Sequence, residues 1–182
     1  MKLEQTLGQV TQLKNGLTVI YVPFPGLQST YIYFKGRAGA TAELNNQIGA
    51  AHFLEHICFD GTEKFPNAND ITKYKEKYGA YANATTNRSS VSFYFKCLNK
   101  DMEAGFNFIS QITLHPLIKD EDIEKEKEII IQELQAKDLH KTKGFAQGSN
   151  NLNFPGKQRV KIPVTGRPPT YVKSTKRYLP IL

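Results

Sequence analysis

Tryptophan is absent from the 182 residues, cysteine and methionine occur twice each, and histidine only four times. Two cysteines cannot make a disulfide framework or a four-thiolate metal site, so packing has to hold the chain together. Cys58 follows His56 by two, an offset that points elsewhere on a helix, and Cys97 ends the alternating run Val91, Phe93, Phe95, Cys97. Both read as core thiols. No segment is apolar for long enough to span a membrane, and the start MKLEQTLGQV lacks a signal stretch and carries Glu4. The expectation is a cytoplasmic protein with no membrane partner. Acid is missing from one end only. Residues 1–138 hold 15 Lys/Arg and 17 Asp/Glu, whereas residues 139–182 hold nine Lys/Arg and no acid. That basic segment scatters its charges among Pro, Gly and Val and has no nucleic-acid motif, so it reads as solvated surface or as a face for another domain. No nucleic-acid partner is expected.

What is present suits one folded unit. With 40% apolar residues, 182 residues can bury one core, and the whole of 1–182 is read as a single domain. Leu17 to Pro23 and Thr30 to Lys35 read as strands separated by the turn-forming Pro25-Gly26, and helices are predicted over about 48–59 and 69–78. Tyr81 to Thr86 and Val91 to Leu98 read as a second strand pair, followed by helices near 101–113 and 120–138. The order ββααββαα favours an α+β domain, an antiparallel or mixed sheet with helices packed on one face, over a parallel wound sheet.

The most specific pattern lies in Gly49 to Thr62, GAAHFLEHICFDGT, where His52, Glu55 and His56 stand in the order H-x-x-E-H. Residues i and i+4 share a helix face, so the two imidazoles can grip one ion while Glu55 reaches a water beside it. This is the H-E-x-x-H arrangement with the helix running backwards, and it points to zinc hydrolysis. A site of that kind takes a third protein ligand. The segment Asp120 to Asp138, DEDIEKEKEIIIQELQAKD, reads as an acidic helix with Asp120 as N-cap, and it offers five glutamates. Glu126, Ile130 and Glu133 share a partly apolar face, while Glu121, Glu124 and Glu128 spread around the other sides. Glu133 is the candidate third ligand, and Glu126 a carboxylate able to orient a ligand.

These residues give the chain a resemblance to the N-terminal catalytic domain of the pitrilysin/insulinase family of zinc metallopeptidases, the inverzincins. The family signature is H-x-x-E-H, then 76 residues, then Glu, and 76 residues separate His56 from Glu133. A second acidic residue seven before the third ligand falls on Glu126. The resemblance extends to Asn15-Gly16-Leu17-Thr18-Val19, to Gly39, Glu43 and Gly49 ahead of the metal helix, to Phe59-Asp60-Gly61-Thr62, and to Ala82-Asn83-Ala84-Thr85. An Arg common between Gly39 and Glu43 is absent, with Thr41 near that place. In the family, two similar α+β domains face each other as a clamshell, and the second supplies substrate-binding residues. By that comparison this chain is an incomplete first domain, with Ser174 to Leu182 beginning a helix whose following strand is missing.

The resemblance implies a zinc endopeptidase domain acting on peptides or unfolded polypeptide. His52, His56 and Glu133 bind Zn²⁺, Glu55 and Glu126 serve the catalytic machinery, and Ala82, Asn83 and Ala84 form an edge for the substrate. Activity is expected to need a second homologous domain or partner chain. The alternative is a truncated, non-catalytic zinc-binding module. His115 and His140 read as surface histidines.

Overall fold

The computed structural model describes residues 8–44 and 47–139, together with Val164. The expected basic segment, His140 and the helix begun at Ser174 lie outside the described residues.

Two antiparallel sheets and four helices are present among the described residues. Strands β1 (Gln9–Gln12) and β2 (Thr18–Tyr21) form an exposed hairpin around Asn15-Gly16. Strand β3 (Ser29–Gly36) joins β4 (Tyr81–Thr86) and β5 (Val91–Leu98) in the order β3-β5-β4. The expectation that the first two strands pair across Pro25-Gly26 is thus corrected. β2 pairs with β1, a strand the polar run QVTQ conceals, because Asn15-Gly16 supplies the tighter reversal. The helices are α1 (Ala50–Ile57), α2 (Ala68–Lys77), α3 (Met102–Leu114) and α4 (Asp120–Leu139). Each of the four helices predicted within the described residues is found within about two residues of its expected ends, the usual uncertainty of a helix terminus. Asp120 is the first helical residue instead of the N-cap, since the Ile123 N–H already donates to the Lys119 carbonyl.

Alternation along the strands sorts the sheet into two faces. Ile32, Ala82, Ala84, Phe93, Phe95 and Cys97 point to the helices and make the main core with Phe108, Ile109 and Ile112 of α3, Leu54 of α1 and Cys58, which caps the C-terminus of α1. Tyr31, Tyr33, Tyr81 and Tyr94 lie on the opposite, open face. The helices therefore cover one face, as the pattern of an α+β domain requires. Both cysteines are buried free thiols, as expected, and burial pushes Cys58 up to about 12.

Candidate metal centre

Helix α1 is only eight residues long and buried on most sides, so its three functional side chains are held by what surrounds them. Its residues divide by helical angle. Ala51, Leu54 and Cys58 enter the main core. Phe53 and Ile57 turn instead to Ile123, Ile130 and Leu134 of α4, forming a second apolar cluster. Each such buried side chain contributes roughly 1.5–3 kcal/mol, which is what fixes α4 against α1. His52, Glu55 and His56 occupy the remaining stripe, and the α4 face that carries Ile130 brings Glu126 and Glu133 over them.

The start of α1 has an unusual cap. Its N-cap residue Gly49 has φ 94°, a conformation that favours glycine, and no side chain of its own. Glu43 supplies what is missing: its carboxylate accepts from the Gly49 N–H and the Ala51 N–H, both at 2.9 Å. A buried anion there also meets the positive end of the helix dipole. Glu43 reaches that place because Gly39 passes against the Arg88–Ser90 backbone; a Cβ at Gly39 would sit 2.3 Å from the Ser90 nitrogen. Thr41, where the resemblance leads one to expect Arg, secures the same loop by donating to the Arg88 carbonyl at 2.7 Å.

The three expected ligands converge. Glu133 Oε2 lies 3.7 Å from His52 Nε2 and 3.8 Å from His56 Nε2, and the imidazole centroids are 4.7 Å apart. One ligand atom from each of the three residues lies within 4.8 Å of the others. A tetrahedral ion bound at about 2.0–2.1 Å holds its donors about 3.4 Å apart. The two carboxylate–imidazole separations lie about 0.3–0.4 Å above that value, and two imidazoles with one carboxylate are a donor set suited to zinc with a position left open.

Glu126 does not face the same space. Its Oε2 lies 2.8 Å from His56 Nδ1, and since a carboxylate can only accept, Nδ1 is the donor there and Nε2 is the nitrogen turned toward Glu133. Its other oxygen is 3.6 Å from Lys125 Nζ, and that ammonium is 2.8 Å from Asp60 Oδ1. Glu126 thus touches the ring of His56 and not the space between the three ligand atoms. Burial disfavours its charge, yet the hydrogen bond and charge of His56, with Lys125, hold its carboxyl below the ordinary value. Burial likewise pulls His56 down, but the Glu126 hydrogen bond and the charges of Glu126, Glu55 and Glu133 together raise it. Asp60, pushed up by burial and opposed by Lys125, ties the exit of α1 to α4.

Glu55 is one turn from His52 and accepts a short hydrogen bond from the Thr86 hydroxyl at the end of β4. Neither Thr86 nor the Asp60–Lys125 pair was marked by sequence pattern; a lone threonine at a strand end and a lysine in a charge-rich helix carry no periodic signal. The expected substrate edge is divided between the two faces. Ala82 and Ala84 are buried against the helices, while Asn83 stands on the open face, its amide carbonyl accepting from the Ala84 N–H at 2.9 Å. β4 has a ladder partner on one side only among the described residues. His115 lies on the surface, as expected, 3.4 Å from Glu63.

Residues 28–147 match the profile of the family described as Insulinase (Peptidase family M16). The chain is 35% identical over 131 residues to cytochrome b-c1 complex subunit 1, mitochondrial, of Bos taurus, covering 71% of this chain and 27% of that protein. It is 30% identical over 125 residues to an uncharacterized zinc protease of Rickettsia felis, covering 69% and 30% respectively. Among solved structures, a putative M16-like peptidase from Alicyclobacillus acidocaldarius superposes with a TM-score of 0.80 at 26% identity, over 94% of this chain and 41% of that one. The chain therefore spans less than a third of the length of these two relatives, and the residues 28–147 matched by the family profile contain the converging histidines and glutamate. With its α+β fold and the H-x-x-E-H helix facing Glu133, the chain belongs to the insulinase family, peptidase family M16.

Proposed function

We propose that this chain is the metal-bearing domain of a zinc endopeptidase that cleaves extended peptides or unfolded polypeptide. The observation that carries this reading is the convergence of His52, His56 and Glu133 to within 4.8 Å, with Glu55 beside them on the same helix. The zinc protease among its relatives supports the choice of metal. His52 and His56 through Nε2 and Glu133 through Oε2 would hold the ion, and zinc bound there supplies Lewis acidity that makes water a nucleophile near neutral pH.

The remaining chemistry belongs to the chain. Glu55 accepts a proton at its carboxylate as water attacks the peptide carbonyl, and returns it to the leaving amine. Thr86 holds that carboxylate through its hydroxyl, so proton transfer starts from a fixed position. Glu126 keeps the His56 proton on Nδ1. β4 receives the substrate as an added strand, the Ala82, Asn83 and Ala84 backbone supplying sequence-tolerant hydrogen bonds. One wall of this kind neither excludes water nor fixes the peptide, so turnover requires a second homologous domain or partner chain. The bovine relative, named as a subunit of a complex, supports a life in company. The proposed compartment is the cytoplasm.

Metal analysis of the purified chain after dialysis tests the reading. About one zinc per chain is expected, lost in His52→Ala and Glu133→Ala, whereas Glu55→Gln keeps the metal. Unchanged stoichiometry and affinity in either ligand variant would refute the assignment. If a second domain added in trans gives no chelator-sensitive peptide cleavage although zinc is bound, the chain is a non-catalytic zinc module.

A further inference from the structure

Among the described residues, the sheet face turned away from the helices is a grid without an acid. One row sets Tyr31, Lys96 and Tyr81 side by side, and the next sets Tyr33, Tyr94 and Asn83. A third row holds Lys35, Ser92 and Thr85. The four rings touch: Tyr94 has centroids 5.5 Å from Tyr31, 6.4 Å from Tyr33 and 6.1 Å from Tyr81. Tyr31, Tyr33 and Tyr81 nevertheless keep 55%, 48% and 58% of their surface exposed. All three rows end at β4, whose outer side carries no strand among the described residues and whose last residue, Thr86, holds Glu55.

We propose that this tyrosine platform is a specificity surface that selects extended peptides with aromatic side chains at alternate positions. The proposal rests on the peptidase reading above, in particular on β4 as the edge that receives the peptide. Residues directly opposite each other in a sheet share a face, with Cβ atoms about 4.5–5.5 Å apart. A peptide strand added to β4 therefore lengthens each row by one side chain. The side chains beside Tyr81 and Asn83, two residues apart in the peptide, fall on the open face. Those between them fall on the side of buried Ala82 and Ala84. An aromatic ring beside Tyr81 continues a row already made of touching rings, where offset packing adds attraction beyond area burial. Among the described residues Lys35 and Lys96 are the charged residues of this face, so a basic side chain meets like charge there and no acid. Tyr81 lies five residues along β4 from Thr86, so the selection acts at a distance from the bond cleaved and governs binding, not the chemical step.

The chain has no tryptophan, so the emission of a tryptophan-bearing peptide can be read against it without background. Peptides of about ten Ser, Thr and Ala residues, carrying an end-attached fluorophore, would bear two Trp at i and i+2, two Trp at i and i+1, two Lys at i and i+2, or neither. Titrated with the full 182-residue chain, the i,i+2 Trp peptide is expected to bind about three- to tenfold tighter than the i,i+1 peptide. Its Trp emission should shift to the blue, and the Lys peptide should gain nothing. Spacing decides the comparison whatever the register of the bound peptide. Tyr81→Ala should erase the difference and Tyr81→Phe should keep it, with both variants still unfolding cooperatively, since Tyr81 is 58% exposed and its loss removes only the contact with Tyr94 and the Asn83 hydrogen bond. Equal binding of the two Trp spacings, or a preference that survives Tyr81→Ala, overturns the platform while the edge-binding reading stands on the unsubstituted peptide. Failure of every peptide, including that one, to bind overturns both.

Discussion

Glu126→Gln is the substitution that separates a positioning carboxylate from a merely buried one. The change conserves volume and leaves an amide oxygen able to accept from His56 Nδ1, but it removes the charge that makes the 2.8 Å contact strong. Loss of a carboxylate behind a metal-binding imidazole costs about 10- to 100-fold in metal affinity, or about 1.4–2.7 kcal/mol. A second effect has the opposite sign. Burial lowers the His56 pKa and Glu126 is foremost among the groups that raise it, so the variant's imidazole loses its proton at lower pH. Since only the neutral ring binds metal, uptake should begin at lower pH in Glu126→Gln yet level off at weaker affinity. Zinc titration against a chromophoric chelator, repeated across pH, reads both quantities. Packing damage alone would weaken binding without moving the pH midpoint. Wild-type affinity and an unmoved midpoint would refute the reasoning.

Thr86→Val keeps the shape of the strand end and removes the donor to Glu55, so metal content should be unchanged while zinc-dependent cleavage in the completed enzyme falls about tenfold or more; equal turnover would dismiss Thr86 as a support. Cys58, with its thiol at about 12, should resist alkylation at pH 8 until the chain unfolds, and rapid labelling of the native protein would contradict its burial. The sign for stability follows: protonated in the fold, the thiol contributes below its ordinary value of 9.0, and that contribution is lost as pH rises from there toward about 12, which a series of melts at alkaline pH would show. Phe108→Ala removes a fully buried ring that touches Phe59, Phe65, Tyr74 and Phe95, and should cost about 3–5 kcal/mol in denaturant unfolding.

The fold was legible wherever one periodicity ruled a segment. Val91, Phe93, Phe95 and Cys97 alternate along β5 because one face meets the helices, although Ser92 on the other face is also fully buried, and α3 repeats its apolar residues at Phe108, Ile109 and Ile112 because one stripe meets that sheet. β1 was not legible. Its four residues QVTQ are all exposed, so burial imposed no pattern on them, and the strand exists because a glycine turn folds it onto β2.

The site divides the same way. His52, Glu55 and His56 can be read from one helix, because i, i+3 and i+4 neighbours meet whatever else the chain does. Helical geometry narrows the five glutamates to the face of Glu126 and Glu133, but it cannot show that this face packs on Phe53 and Ile57, a contact between residues far apart in sequence. Spacing shared with a family stood in for that contact. Glu43 shows the other limit: an acid in a loop before a helix is ordinarily solvated, and here a bend allowed by Gly39 turns it into the cap that α1 lacks. The cap then bears on the metal directly. An eight-residue helix makes few intrahelical hydrogen bonds and is marginal by itself, so a first turn freed from Glu43 would let the backbone at His52, three residues beyond Gly49, drift from His56. Glu43 at one end of α1 and the Asp60–Lys125 link at its exit therefore hold the same short helix between two anchors, and the ligand distances depend on both.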